Sequence, residues 1–188
     1  MNDQNFIHLL KQGNEKAFSD LVKTYQNMVY NTVLSMVQNV EEAEDLAQEV
    51  FIQVYQSIQS FRGESKLSTW IYRISLSKAL DLERKKKTQK RIDYFKNSIG
   101  IGTREEETIS DFSHPGIDLL NKEKSAIVFK ALKQLPENQR IAFTLIKAEG
   151  LTYNEVGEIM NISIGAIEGL MARAKINLKK SLETYYKQ

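Results

Sequence analysis

The sequence predicts an all-α protein of two helical domains, the second a helix-turn-helix. Three observations carry this. Only 2 of 188 residues are Pro and 9 are Gly, while Leu, Ile, Lys, Glu and Gln abound, so helix formers outweigh strand-and-turn chemistry. Apolar side chains recur at three- and four-residue steps over most of the chain. One stretch, residues 92–118, loses that period and gathers three Gly, Pro115 and an acidic run. Such a stretch reads as a flexible linker, too long for the inside of one compact domain, and it divides the chain into 1–91 and 119–188.

In chain order, residues 5–38 carry Phe6, Leu9, Leu10, Phe18, Leu21, Val22, Tyr25, Val29, Val33 and Val37 at helical spacing, with a break near Gly13. Asn39 and the acidic Glu41, Glu42, Glu44 and Asp45 suit a new helix N-terminus, where carboxylates meet the positive end of the helix dipole. Leu46, Val50, Val54 and Ile58 continue that helix until Phe61–Gly63. The next helix is expected from Ser68 to Lys87, capped by Ser68 or Thr69. In the second domain a helix runs to Gln134, Pro136 fits the first turn of the following helix, and Gly150 suits that helix's end near Glu149. Thr152 and Glu155 form a T-x-x-E capping box for a short helix to Met160. Asn161 tolerates a left-handed turn, and Ser163 caps a last helix through Thr184.

The net charge of +2 conceals a polar distribution. Residues 61–91 hold ten basic and three acidic side chains, net +7, and residues 161–188 carry net +3. Between them residues 92–121 carry net −4. Two basic segments around an acidic one suggest two contacts with a polyanion and a repelled connector. Cysteine is absent, which excludes disulfides and thiolate metal sites. No apolar run reaches a membrane span and the first residues lack a signal-peptide pattern, so no membrane insertion and a cytoplasmic location are expected. His8 and His114 are isolated, and no phosphate-binding glycine loop or catalytic constellation is present, so neither an enzyme nor a cofactor or metal is expected.

Two constellations carry function. Residues 153–172 fit a helix-turn-helix. Gly157 sits where the helices cross, Asn161 lies in the turn, and Val156, Met160, Ile162, Ile167 and Leu170 provide contacts between the helices. Arg173, Lys175, Lys179 and Lys180 would meet phosphate and position the last helix without reading sequence. In "AEDLAQEVFIQVY", Asp45, Gln48 and Glu49 cluster beside the stripe of Leu46, Val50 and Val54, which alone reads as a solvated acidic face. The only tryptophan lies in "FRGESKLSTWIYRI", among cations and hydroxyls. Unstacking a base costs a few kcal/mol. An aromatic face returns about 1–3 kcal/mol per stacked base, and cations hold the backbone. Phe61, Trp70 and Tyr72 offer rings. Arg62, Lys66, Arg73, Lys78, Arg84 and Lys85 offer charge, and Ser68 and Thr69 offer hydroxyls. Trp70 at helical spacing reads either as a strand contact or as a core support.

Together with "DLER" at 81–84 and "LPENQRIAFTLIKAEGLTYNEVGEIMNISIGAIEGLMARAKINL", these segments resemble the sigma-70 family of bacterial transcription initiation factors. The likeness is to the small extracytoplasmic-function (ECF) members. The resemblance covers both domains in the family order. It implies that Asp45, Leu46, Gln48, Glu49 and Val50 dock on core RNA polymerase. It implies that Phe61, Arg62, Lys66, Ser68, Thr69, Trp70, Tyr72, Arg73, Ser77, Lys78, Arg84 and Lys85 serve the melted non-template strand of the minus-ten element. It also implies that Tyr153, Asn154, Ser163, Ile164, Gly165, Ala166, Glu168, Gly169, Ala172, Arg173 and Lys175 face the duplex minus-thirty-five element, and that an anti-sigma factor regulates the chain. The free protein is expected to be a monomer. Clamping of the two domains across the linker would hide both DNA surfaces.

The chain departs from the family pattern at Ser77, where Asn is frequent, and at Ala166, Glu168 and Gly169 in the recognition helix. Glu168 repels phosphate but can accept from a cytosine amino group. Two rivals make different predictions. A stand-alone helix-turn-helix regulator would bind promoters without polymerase. A DNA-processing enzyme would need a catalytic constellation, which the sequence does not offer.

Overall fold

The computed structural model describes residues 3–98 and 127–186, and every described element is helical. The first unit holds α1 (Asp3–Lys11), α2 (Glu15–Val37), α3 (Val40–Ser57), a 3-10 turn (Ile58–Ser60) and α4 (Leu67–Ser98). The second holds α5 (residues 127–133), α6 (Glu137–Lys147), α7 (Tyr153–Met160) and α8 (Ile164–Tyr186). Most of the expected linker, His114 and the start of the second domain lie outside the described residues.

Short-range chemistry sets the first three helices. The Asn14 side chain accepts the Ala17 N–H at 2.9 Å and opens α2. Gln38 ends it in the left-handed region at φ 56°, with its N–H returning to the Leu34 carbonyl. Asn39 at once caps α3 by accepting from the Glu42 N–H at 2.9 Å. A two-residue joint therefore turns α2 into α3. Their facing stripes, Leu21, Val29, Val33 and Met36 on α2 and Ala43, Leu46, Val50 and Val54 on α3, are buried. α4 lies across both and buries Ile71, Leu76 and Ala79.

α4 departs from the sequence expectation at both ends. It starts at Leu67, and the Lys66 carbonyl accepts the first helical bond from the Trp70 N–H at 3.2 Å. Ser68 and Thr69 therefore sit inside the first turn and neither is the cap. At the other end α4 runs on through residues 92–98, which were assigned to the linker. That segment has no Pro or Gly before Gly100. Its apolar period is lost because the overhanging turn buries no stripe: Ile92, Tyr94 and Phe95 are exposed. At 32 residues α4 is about 48 Å long.

The second unit follows the sequence with shifts of a residue or two. Pro136, expected in the first turn of α6, precedes it in extended geometry (φ −52°, ψ 143°). α6 ends at Lys147, and Gly150 makes its turn at φ 70°. The capping box of Thr152 and Glu155 is complete, and Asn161 closes α7 at φ 54°. A Cβ on Gly157 would meet the Ile162 carbonyl oxygen at 3.0 Å, so glycine allows the α7–α8 turn to close. Ser163 accepts from the Ala166 N–H at 3.3 Å and caps α8. Ile162, expected between the helices, is exposed, because its backbone lies in that turn.

The two units share one core. A buried cluster runs from Leu10, Leu21 and Val50 through Ile71 and Leu76 into Ile141, Leu145, Val156, Ile159, Ile167 and Met171. A smaller cluster of Ala131, Leu132, Leu135, Ala174 and Leu178 joins α5 to α8. α4 packs against α7, and α2 against α6. No described helix is long and apolar enough to cross a membrane.

Candidate nucleic-acid and partner interfaces

The α3 face divides by helical phase. Asp45, Gln48 and Glu49 are exposed, whereas Leu46 and Val50 are buried against α2 and α4. Leu46 and Val50, placed in the docking set, therefore face the core and anchor the helix that exposes the other three. The Lys78 ammonium from α4 bonds Glu49 at 3.1 Å, which ties this face to the neighbouring helix. Ile52 and Tyr55 are also exposed on α3, one and two turns beyond Gln48, and Tyr55 packs edge-on to Phe18 at 5.1 Å.

The residues of α4 and of the loop before it split in a similar way. Arg62, Lys66, Arg73, Ser77, Arg84 and Lys85 are exposed, and Ser68, Trp70 and Lys78 are half-buried. Phe61, Thr69 and Tyr72 are buried, contrary to their expected place on a strand-facing surface. Phe61 lies under Trp70, centroids 5.2 Å apart and planes tilted by 44°, so the tryptophan is partly a support and partly exposed. Helical phase alone buries Thr69, because its neighbours in phase are Tyr72 and Leu76 on the inward side. Trp70, Arg73, Ser77 and Arg84 recur at threes, fours and sevens, and form a row along α4.

That row meets the second unit. Arg73 donates from Nε to the Ile159 carbonyl at 3.2 Å and from Nη2 to the Glu158 carbonyl at 2.6 Å. These carbonyls belong to the last turn of α7, where the helix dipole is negative, and that of Glu158 also accepts the Asn161 N–H at 3.3 Å. Lys66 pairs with Glu155 at 3.4 Å, and Arg84 pairs with Glu137 at 3.1 Å. Behind the row Glu83 and Arg140, 9% and 3% exposed, form a two-pronged ion pair, with one contact of 2.8 Å. Gln38 Nε2 adds a bond to the Phe129 carbonyl at 2.9 Å.

Three ionisations are shifted at this contact. Burial pushes the Glu149 carboxyl up to about 7, against the pull of the Tyr72 hydroxyl that hydrogen-bonds it. The Tyr72 hydroxyl is itself driven up, first by burial and then by the negative charges of Glu149 and Glu155. Glu155 is half-buried and held below the usual carboxylate range by the Thr152 backbone N–H, then by the Thr152 hydroxyl and Lys66.

The helix-turn-helix presents its face without cover. Asn154, Ser163, Ile164, Gly165, Ala166, Glu168, Ala172, Arg173 and Lys175 are exposed, and Tyr153 and Gly169 are half-buried. Ile167 and Met171 point inward and seat α8 on α6 and α7. The expected clamp thus exists but covers only the α4 side. Glu83, Arg140 and Glu149 escaped the sequence reading. Arg140 and Glu83 lie within the quoted "LPENQR" and "DLER", yet their pairing spans 57 residues and leaves no local periodic signal.

Comparison with known proteins agrees with this anatomy. The model of Sigma-70 region 2 matches residues 21–89, and that of Sigma-70, region 4 matches residues 125–178. The RNA polymerase sigma-H factor of Pseudomonas aeruginosa is 30% identical over 96% of this chain and 94% of its own length. The ECF RNA polymerase sigma factor SigW of Bacillus subtilis is 34% identical over 94% of each. Among solved structures, the sigma factor RpoE in complex with the anti-sigma factor NepR from Bartonella quintana is 26% identical. It aligns with a TM-score of 0.60 over 89% of this chain and 98% of that one. CnrH in complex with the cytosolic domain of CnrY, 20% identical, shares the fold at a TM-score of 0.69 over 97% of both chains. The chain belongs to the sigma-70 family, as one of its ECF RNA polymerase sigma factors.

Proposed function

We propose that this sigma factor docks on core RNA polymerase through Asp45, Gln48 and Glu49 of α3. It then holds the melted non-template strand of the minus-ten element along α4, and reads the minus-thirty-five element as duplex through the N-terminal half of α8. The observation that supports the assignment is a division by helical phase. On α3 and α8 the motif residues that must meet a partner are exposed, while the motif residues between them are buried. On α4 and the loop before it, the cations Arg62, Lys66, Arg73, Arg84 and Lys85 hold phosphate, and Trp70, backed by Phe61, offers a face to an unstacked base. Melting then needs no nucleotide hydrolysis, because the open strand is bound more tightly than the paired one. Phosphate contacts make such binding steeply salt-dependent.

Glu168 and Gly169 point to a minus-thirty-five sequence of the chain's own. An exposed carboxylate in the reading half of α8 favours a cytosine amino group over phosphate. The relative complexed with NepR supports regulation by an anti-sigma factor. The test is transcription in vitro with purified core polymerase and a promoter library. Promoter-specific initiation that depends on this chain is the expected result. No such initiation, with duplex binding by the chain alone at physiological salt, would return the stand-alone regulator.

A further inference from the structure

We propose that α1 positions the minus-ten surface: Lys11 pins the Phe61–Arg62 peptide and, through the Phe61 ring, sets the face that Trp70 offers to a base. The inference rests on the assignment of Trp70 and its neighbours to the minus-ten strand. It gives a task to a helix that lies outside the matched residues 21–89.

The contact is reciprocal. The Lys11 ammonium donates to the Phe61 carbonyl at 2.7 Å, and Gln59 Nε2 donates to the Lys11 carbonyl. At the end of α1 the carbonyls of His8, Leu9 and Leu10 accept the N–H groups of Gln12, Asn14 and Gly13. The Lys11 carbonyl is the fourth of that last turn, and Gln59 supplies its partner. The two bonds bracket the 3-10 turn Ile58–Ser60, so α1 grips the chain where it leaves α3 for α4.

Two parts of the surface hang on that grip. The first is Trp70. Phe61 is buried, and its ring lies under the half-buried indole. A stacking platform holds its geometry only when the residues behind it are locked by packing and hydrogen bonds, and Lys11 locks the backbone of Phe61. The second is the loop Arg62–Ser65. Among the described residues its side chains bond only within 62–66: Arg62 meets Glu64 at 3.9 Å, and Ser65 donates to the Lys66 carbonyl at 3.4 Å. The loop is therefore steered from its two ends, by α4 at Lys66 and by α1 at Phe61. Arg62, one of the phosphate cations, leaves the core in the direction that the pinned peptide sets.

The chain carries its own probe, because Trp70 is its only tryptophan. The test compares full-length Lys11→Met, Lys11→Arg and Gln59→Leu with Lys16→Met, which removes one charge from an exposed site on α2. Emission and acrylamide quenching of Trp70 are read on the free chain. Fluorescence anisotropy on the complex with core polymerase reads affinity for a single-stranded minus-ten oligonucleotide and for a minus-thirty-five duplex. Both come from a promoter selected in the transcription assay. We expect Lys11→Met and Gln59→Leu to shift the emission to the red and to be quenched more readily. Their strand affinity should fall about threefold to tenfold below the control, with duplex affinity within about twofold. Lys11→Arg, which keeps a donor for the Phe61 carbonyl, should restore both readouts. Trp70 emission at the control's value overturns the proposal, as does strand affinity at the control's value. An equal loss on strand and duplex overturns it too, since that reports general destabilisation. If Lys11→Met fails to fold, Gln59→Leu carries the same test from the exposed side of the contact. Trp70→Ala with the parent's strand affinity would instead sink the minus-ten assignment, whatever the emission of the Lys11 variants shows.

Discussion

The two surfaces proposed to face DNA are built and treated differently. The α4 surface sits in the segment of net +7, and most of its cations are engaged by carboxylates or carbonyls of the chain itself. The α8 surface sits in a segment of net +3 and is bare. A dense row of cations repels itself and attracts any anion within reach, so a row suited to a melted strand is also suited to the protein's own glutamates. A surface that reads base edges carries fewer charges and can stay exposed at little cost. Covering one surface and exposing the other thus accords with the ligand proposed for each.

The comparison breaks most completely at the buried ion pair. Glu83→Ala leaves Arg140 charged and unpaired inside the interface, and a stranded partner of this kind costs about 3–5 kcal/mol. Urea unfolding should show the loss, and scattering at low denaturant should show the units parted with both DNA surfaces exposed. An unchanged transition would mean that the pair does not hold α6 on α4.

A smaller effect comes from the docking face, which lies outside both surfaces. Asp45→Arg with Glu49→Arg should cost about 2 kcal/mol or more in core polymerase affinity if the face is an anchor. The melting temperature should barely move, because both side chains are exposed. Core affinity equal to the parent's would count against α3 as the dock.

The bare surface can be damaged without touching the covered one. In Gly157→Ala the added Cβ meets the Ile162 carbonyl at 3.0 Å, so the α7–α8 turn must shift. We expect a loss of about 1–3 kcal/mol, typical of overpacking. Minus-thirty-five duplex binding should weaken further than the strand binding of an opened variant. Equal losses in both assays would show that the two surfaces are not separable.

The smallest expected effect is a pH dependence. Glu149 keeps its proton to about 7 in the closed arrangement, whereas an opened carboxyl returns toward the ordinary 4.5. A raised acid of this kind favours the closed form fully below the open-state value. That advantage is lost as pH rises toward 7, so closure should weaken between pH 5 and 7 and then level off. Tyr72, Glu155 and Lys66 face the same spot, and Tyr72 stays protonated throughout that window. Scattering or strand affinity across pH 5 to 8 should show a slope in the parent that Glu149→Gln flattens. An identical slope in the variant would assign the dependence elsewhere.

Much of this chain is legible without its fold. Helix order, the Asn39 cap, the Thr152–Glu155 capping box, the left-handed Asn161 and the glycine at the α7–α8 crossing all depend on residues within one or two turns. Sequence carries such information directly, because the helical period and cap chemistry are local. The motifs at 43–55, 61–84 and 135–178 likewise named the family. Thr69, Tyr72, Leu46 and Val50 were assigned to partners by type, but their position around the helix turns them inward, and Phe61, in the turn before α4, packs under Trp70. Residues 92–98 lost their period because nothing packs on them, although they remain helix.

Tertiary structure alone decided how the two units meet. Pairing of Glu83 with Arg140, Arg73 with the end of α7, and Gln38 with Phe129 joins residues 57 to 91 positions apart. A charge at one site gives no sign in sequence of the opposite charge that will find it. Sequence thus determined which surfaces this sigma factor possesses. Only the packing of α6 and α7 onto α4 determined that one is held by its own carboxylates and the other is left free, because that choice depends on long-range electrostatics and not on helical period.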